Sequence, residues 1–258
     1  MLVTVITINR NMGDHPSRTI ASLSAQTEPF IWVVIDGGSR DHSVELLRAA
    51  LRPGDQFISE PDEGIVDAFN KGLAQVTSGA VVFLNAGDAF ADSESLARLS
   101  SAWRAGHSWV TSGAMVMNES GRHLYSRDHG PGTSVRALLQ HGCRIWHAAT
   151  LVDRSLFEYH GRFDSSFRIS MDYEFWLRLA AAGHSPWIIP GTICQFYVGG
   201  ASSRLDLRLQ EDRRARESHD FKLSAWQEWK LSTIAMLKHY LRYVAGPVFY
   251  RIKERLRW

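Results

Sequence analysis

Cysteine is scarce in this chain, with only Cys143 and Cys194 among 258 residues. A lone pair supplies neither a disulfide framework nor a zinc-ligand spacing, and it points to a reducing compartment. There is no run of roughly twenty apolar residues, so no bilayer-spanning helix is expected. The apolar start, Met1-Leu2-Val3-Thr4-Val5-Ile6-Thr7-Ile8, has no basic n-region, long h-region or small-residue cleavage pattern. It reads as a buried strand rather than a signal peptide. Also missing are the Gly-x-Gly-x-x-Gly dinucleotide fingerprint and a phosphate loop ending in Lys-Ser/Thr, and the first absence argues against a nucleotide-dependent oxidoreductase. Internal repeats are absent.

What is present fits a globular α/β protein. Hydrophobic residues make up 45% and charged residues 22% of the chain, enough to bury a sizeable core with room for a helical appendage. The net charge of +2 divides unevenly, with +6 in Lys222 to Trp258 and −4 in the remainder. Such asymmetry assigns the C-terminus a separate surface role.

Short apolar runs alternate with helical spacing through the first hundred residues, the pattern of a parallel sheet with crossover helices. Strands are expected over 3–8, 30–35, 56–59 and 80–84, and helices over 17–25, 43–51 and 65–75. Further along, a helix is expected over 95–105, strands near 109–117 and 148–152, and a helix over 172–182. Residues 206–258 read as largely helical with an interruption at Gly246-Pro247. In open α/β sheets the crevice at the carboxyl ends of the strands is where nucleotides bind.

Polar residues collect at those ends. Asp36-Gly37-Gly38-Ser39 with Asp41 closes the second strand; it is either a turn whose Ser39 or Asp41 caps the next helix, or a close backbone approach to a ligand. Asp67 and Lys71 lie four apart on one helix face, as a solvated pair or at the edge of the crevice. Asn85-Ala86-Gly87-Asp88 ends a fully apolar strand. A carboxylate there is costly unless it is hydrogen-bonded, paired or bound to a cation, and Mg²⁺ or Mn²⁺ shared with diphosphate oxygens would suit it. His147 sits in an apolar context where a satisfied core histidine is the usual outcome. Asp172 opens an apolar helix, as a cap or as a general base.

Taken in order, these runs resemble the family 2 glycosyltransferases, and within them the short exopolysaccharide and glycolipid enzymes similar to the colanic acid transferases. The resemblance spans residues 3–203. It is carried by Thr4 to Asn9, Val34 to Ser39, Ile58 to Ile65, Ala68 to Gly72, Phe83 to Asp88, Trp146-His147-Ala148, Gly161 to Asp164, Asp172 to Leu179 and Gly199 to Ser203. It implies a GT-A, Rossmann-like nucleotide-diphospho-sugar transferase domain over 1–205, followed by a basic amphipathic helical extension over 206–258.

By the same resemblance, Thr7, Asn9, Asp36, Gly38, Asp62, Asp67, Asn70, Lys71 and Asn85 surround the nucleotide sugar. Asp88 holds a divalent cation, His147 lies on the acceptor side and Asp172 is the catalytic base. Three positions depart from the family pattern: Asn85-x-x-Asp88 replaces Asp-x-Asp, Ala148 replaces a glutamine, and Met171 stands where many relatives have Glu. The reaction implied is inverting transfer from a nucleotide sugar, with UDP as the expected nucleotide, to a saccharide or lipid-linked acceptor in cell-surface polysaccharide or glycolipid synthesis. A noncatalytic sugar-nucleotide-binding relative is the alternative, besides the oxidoreductase. A processive synthase would carry membrane helices and a Gln-x-x-Arg-Trp run.

No nucleic-acid partner is expected. Apolar and aromatic residues recur at helical spacing from Leu223 to Val244 among Lys222, Lys230, Lys238 and Arg242. They suggest either a helix packed on the domain or peripheral contact of 222–258 with the inner face of the cytoplasmic membrane. The expected location is cytoplasmic.

Overall fold

The structure is a computed structural model that describes residues 2–130, 132–198 and 204–243. The Gly199 to Ser203 run and the Gly246-Pro247 interruption lie outside the described residues. One mixed sheet organises the chain. Its parallel half comprises β1 (Val3–Asn9), β2 (Phe30–Asp36), β3 (Gln56–Ser59) and β4 (Ala80–Phe83), connected through α1 (Pro16–Ser24), α2 (Ser43–Ala49) and α3 (Ile65–Ala74).

Next come β5 (Ala89–Phe90), α4 (Ser95–Arg104), β6 (Trp109–Met117), β7 (His123–Arg127), α5 (Val135–Leu139), β8 (Thr150–Asp153), α6 (Arg154–His160), α7 (Met171–Ala181) and β9 (Trp187–Tyr197). The strand order is β3-β2-β1-β4-β8-β6-β9-β5, with β7 on β6. β8 is antiparallel to both neighbours, while β9 returns parallel to β6.

Alternation along each strand divides the core in two. Val5, Trp32 and Val82 face α1, α2 and α4, and Ile6, Val33, Val81 and Phe83 face α3, α6 and α7. Burial on both sides explains the near-continuous apolar runs that announce these strands. α3 lies close on the sheet, because a Cβ at Gly72 would meet Ile6 Cγ2 at 2.4 Å. A stack of rings, Phe69 on Phe83 and Phe157 on Phe175, each pair 4.5 Å apart, joins α3, β4, α6 and α7. α7 is apolar on nearly every face, as a helix enclosed by protein must be.

Two expectations are corrected here. Residues 147–149 form a 3₁₀ turn, and the strand begins only at Thr150, whose hydroxyl donates to the Trp146 carbonyl at 2.7 Å. Asp172 is the second residue of α7 rather than its cap, and Ser170 holds the cap position without a side-chain capping bond.

The C-terminal segment comprises α8 (Leu205–Ser218) and α9 (Ala225–Tyr243). Glu211, Ala215 and Arg216 of α8 are buried against the body of the protein. α9 instead leaves Trp226, Trp229, Met236, Leu237 and Tyr240 exposed.

Candidate active site

The carboxyl ends of β1, β2 and β3 lie side by side, with Asn9 in register with Asp36 and Asp36 in register with Ser59. Asp36 has no exposed surface. One of its oxygens accepts from Asn9 Nδ2 at 2.8 Å and Ser39 Oγ at 2.5 Å, and the other from Ser59 Oγ at 2.6 Å and the Ser39 N–H at 3.0 Å. Burial alone would push its carboxyl up. The hydroxyls, the amide and the N–H outweigh that and hold it below the usual carboxylate range.

Four internal bonds occupy both oxygens of Asp36 and fix the turn after β2. Asn9 braces it, also donating to Ser43 Oγ at 2.9 Å. Thr7 is likewise structural. Its hydroxyl donates to the Leu84 carbonyl and accepts from Trp32 Nε1, both at 2.8 Å, beneath the crevice floor.

Beside this turn, Asp62 accepts from Arg10 Nη1 at 3.2 Å and from the Gly64 N–H at 3.0 Å. A Cβ at Gly37 would lie 2.1 Å from Asp62 Oδ2, so Gly37 is the residue that admits this carboxylate. Gly38 matters for its φ of +74°, the left-handed region that favours glycine. The Asp67–Lys71 pair forms at 3.1 Å, and the same ammonium reaches Glu60 at 2.8 Å and the Pro61 carbonyl at 2.9 Å, fastening the 60–67 loop. Asn70 makes a long-range contact. Its amide clasps the backbone of Phe163 with bonds of 2.9 and 3.1 Å, a tertiary link to the segment before α7.

The β4 end gathers a second group. Asp88 Oδ1 accepts the Tyr197 N–H at 2.9 Å, and among the described residues this carboxylate makes no other side-chain hydrogen bond. Burial pushes its pKa up to about 6 against the pull of that N–H and of His147 and Arg18. Asn85 Nδ2 lies 3.1 Å from His147 Nε2, and Asn85 Oδ1 is buried without a partner among the described residues. On its other side, His147 Nδ1 is 3.4 Å from Asp172 Oδ2. Burial disfavours charge on His147, but Asp172 and Asp88 prevail and raise its pKa.

Asn85, Asp88, His147 and Asp172 therefore form one connected cluster, while Asn9, Asp36 and Asp62 belong to the neighbouring strand ends. No three His, Cys, Asp or Glu side chains of the described residues converge to hold a metal. Asp88 and the unpartnered Asn85 oxygen do fit a cation whose remaining ligands come from a diphosphate and water. Sequence reasoning gave no part to Ser59, Arg10 or Tyr197, and named Gly37 only within the turn after the second strand. Only Gly37 carried a visible signal, as one of two adjacent glycines after a strand.

Comparison with known proteins agrees with this architecture. The glycosyl transferase family 2 profile matches residues 3–161. An uncharacterized glycosyltransferase of Mycobacterium tuberculosis is 32% identical over 209 residues, 78% of this chain and 77% of that protein. The PGL/p-HBAD biosynthesis glycosyltransferase of Mycobacterium bovis is 29% identical over 163 residues, 61% of each chain.

Among solved structures, S. aureus TarS 1-349 superposes with a TM-score of 0.62 at 15% identity, covering 96% of this chain and 74% of its own. The mannosyltransferase PcManGT from Pyrobaculum calidifontis, in complex with GDP-Man and Mn²⁺, gives 0.62 at 17% identity, covering 94% and 70%. The fold is shared with both, and with a family profile spanning more than half its length the chain belongs to glycosyl transferase family 2 and is a glycosyltransferase.

Proposed function

We propose that this enzyme moves a sugar from a UDP-sugar to an acceptor hydroxyl by a single displacement with inversion, and that Asp172 is the base. The observation that carries this reading is the chain of contacts from Asn85 through His147 to Asp172. It joins the strand end that carries Asp88 to a half-buried carboxylate. Asp172 would take the acceptor proton, and His147 would orient that carboxylate from its Nδ1 side. Gly38, Asp62 and the loop held by Asp67 and Lys71 would border the nucleoside, with Asn9 and Asp36 shaping the turn beneath. A divalent cation, when bound at Asp88 and Asn85, would offset charge on the leaving diphosphate. Two structural relatives favour a nucleotide-sugar donor, and one of them a UDP-sugar: TarS is solved with UDP-GlcNAc and with UDP, and PcManGT with GDP-Man and Mn²⁺.

A panel of nucleotide sugars, assayed for nucleotide release with and without Mg²⁺ or Mn²⁺, tests donor and cation together. On the active donor, Asp172→Asn keeps the shape but cannot accept a proton, so transfer should fall by roughly 10²-fold or more while donor binding persists. Loss of donor affinity with unchanged turnover of bound donor would refute the base assignment.

The acceptor reading is a lipid-linked saccharide at an anionic membrane, within cell-surface polysaccharide or glycolipid synthesis. Among the described residues no helix is long and apolar enough to cross a membrane. α9 favours surface contact: Trp226 and Trp229 are 63% and 64% exposed, Met236, Leu237 and Tyr240 continue their stripe, and Lys230 lies 5.1 Å over the Trp226 ring. Aromatic side chains beside basic ones suit the headgroup region. Full-length protein is expected to float with anionic liposomes at low salt and to lose this on deletion of residues 222–258. Protein that stays at the bottom of the gradient while folded and active on a soluble acceptor would rule the contact out.

A further inference from the structure

From the packing of α8 against the start of α7, we infer that Glu211 is a positioning residue for Asp172, an inference that rests on Asp172 being the base. The first N–H groups of a helix have no partner within it and attract an anion. At α7 Ser170 makes no capping bond and Asp172 takes the Tyr173 N–H, while the amides of the segment leading into the helix are met from elsewhere. Glu211 reaches in from α8. Its Oε1 accepts the Arg168 N–H at 2.7 Å, and its Oε2 accepts the N–H groups of Ile169 and Ser170, both at 2.9 Å. The carboxylate is 5% exposed, and three successive amides converge on it. The neighbouring Asp212 accepts from Ser170 Oγ at 2.6 Å, so the residue two before the base is held through both its amide and its hydroxyl.

This clamp acts on Asp172 because the base carboxylate is itself tied to the backbone it fixes. Asp172 Oδ1 accepts the Tyr173 N–H at 2.7 Å, leaving Oδ2 toward His147. Wherever residues 168–173 go, the base goes with them. α8 is anchored in turn, since Arg216, buried beside Tyr173, pairs with Glu228 of α9, its Nη2 lying 2.7 Å from each carboxylate oxygen and its Nε 3.1 Å from one of them. The first helix of the C-terminal segment thus belongs to the catalytic apparatus. A general base works only within a few tenths of an ångström of its proton, and small misplacements from remote changes can cost up to about 10²-fold.

The test is a double-mutant cycle on transfer. Glu211→Gln keeps the size of the side chain but turns one acceptor toward donors it cannot satisfy. It should lower kcat by about 10-fold or more with donor KM nearly unchanged. In the Asp172→Asn background the same change should cost less than about 2-fold, because the group being positioned no longer works. Equal losses in both backgrounds, or an unchanged kcat for Glu211→Gln alone, would overturn the inference. Full turnover in Asp172→Asn would instead mark failure of the base assignment. Where Glu211→Gln does not fold, amide exchange on the unaltered enzyme decides: strong protection at Arg168, Ile169 and Ser170 supports the clamp, and exchange at the rate of an open loop refutes it.

Discussion

Asp36 and Asp88 close neighbouring parts of one sheet, and both are withdrawn from solvent, yet their surroundings are opposite. Asp36 receives four hydrogen bonds from Asn9, Ser39 and Ser59, and its carboxyl is held low. Among the described residues Asp88 receives a single backbone N–H, and burial lifts it to about 6. A buried carboxylate with all its partners is finished structure, whereas one left short carries a folding cost that an incoming cation or donor can relieve. The pair thus separates a carboxylate satisfied by its own fold from one left short of partners, the feature on which the proposed cation site rests.

Replacing Asp88 should break the comparison most severely. Asp88→Asn retains an oxygen for the Tyr197 N–H but removes the charge of the carboxylate at the β4 end, so transfer should drop by about 10²-fold or more. Stability should move the other way. Because its folded pKa is raised from 3.8 to about 6, the wild-type carboxylate favours folding below the unfolded value and loses that contribution as pH rises through about 6. Asp88→Asn is therefore expected to melt higher than wild type at pH 7.5, with the gain disappearing near pH 4. Thermal unfolding at the two pH values, alongside the transfer assay, checks both signs. A variant that is inactive and also less stable at pH 7.5 would show that Asp88 is a structural residue like Asp36.

Much of the scaffold was legible because local sequence dictates it. The apolar runs at β1, β2 and β4 and the turn residues after them specify buried parallel strands ending in polar groups. What escaped reading depended on distant partners. Thr7 and Asn70 have the residue types of ligand contacts, yet the Leu84 carbonyl, 77 positions away, and the Phe163 backbone, 93 away, claim them. His147 meets Asp172 across 25 residues, and only the fold reveals that pairing. Glu211 and Arg216 lie in a charged stretch typical of a solvated helix, although they are 5% and 3% exposed. Strand β9 includes Pro190-Gly191 and shifts register near there against β6, which interrupts the alternation that marks a strand.

The smaller effect is expected at Asp36, and its sign sharpens the contrast. In Asp36→Asn one oxygen becomes an NH₂ group. The oxygen that remains can serve Asn9 and the Ser39 hydroxyl, and Ser59 Oγ can accept from the new amide. The Ser39 N–H cannot, so one buried donor is left without a partner, at a cost of about 1–3 kcal/mol. The crevice and the Asp88 cluster are untouched, so turnover of the folded variant should stay within a few-fold of wild type. Its pH dependence runs opposite to that of Asp88. A carboxyl held below 3.8 lends stability above that value and loses it as pH falls through the folded pKa. The stability deficit of Asp36→Asn should therefore be full from pH 5 to 8 and shrink below about pH 4, the range in which the Asp88→Asn gain has already vanished. Denaturant titrations of the two variants at pH 4 and 7.5 measure this directly. A large loss of donor affinity in a well-folded Asp36→Asn would return Asp36 to the nucleoside site and end the division between the two carboxylates.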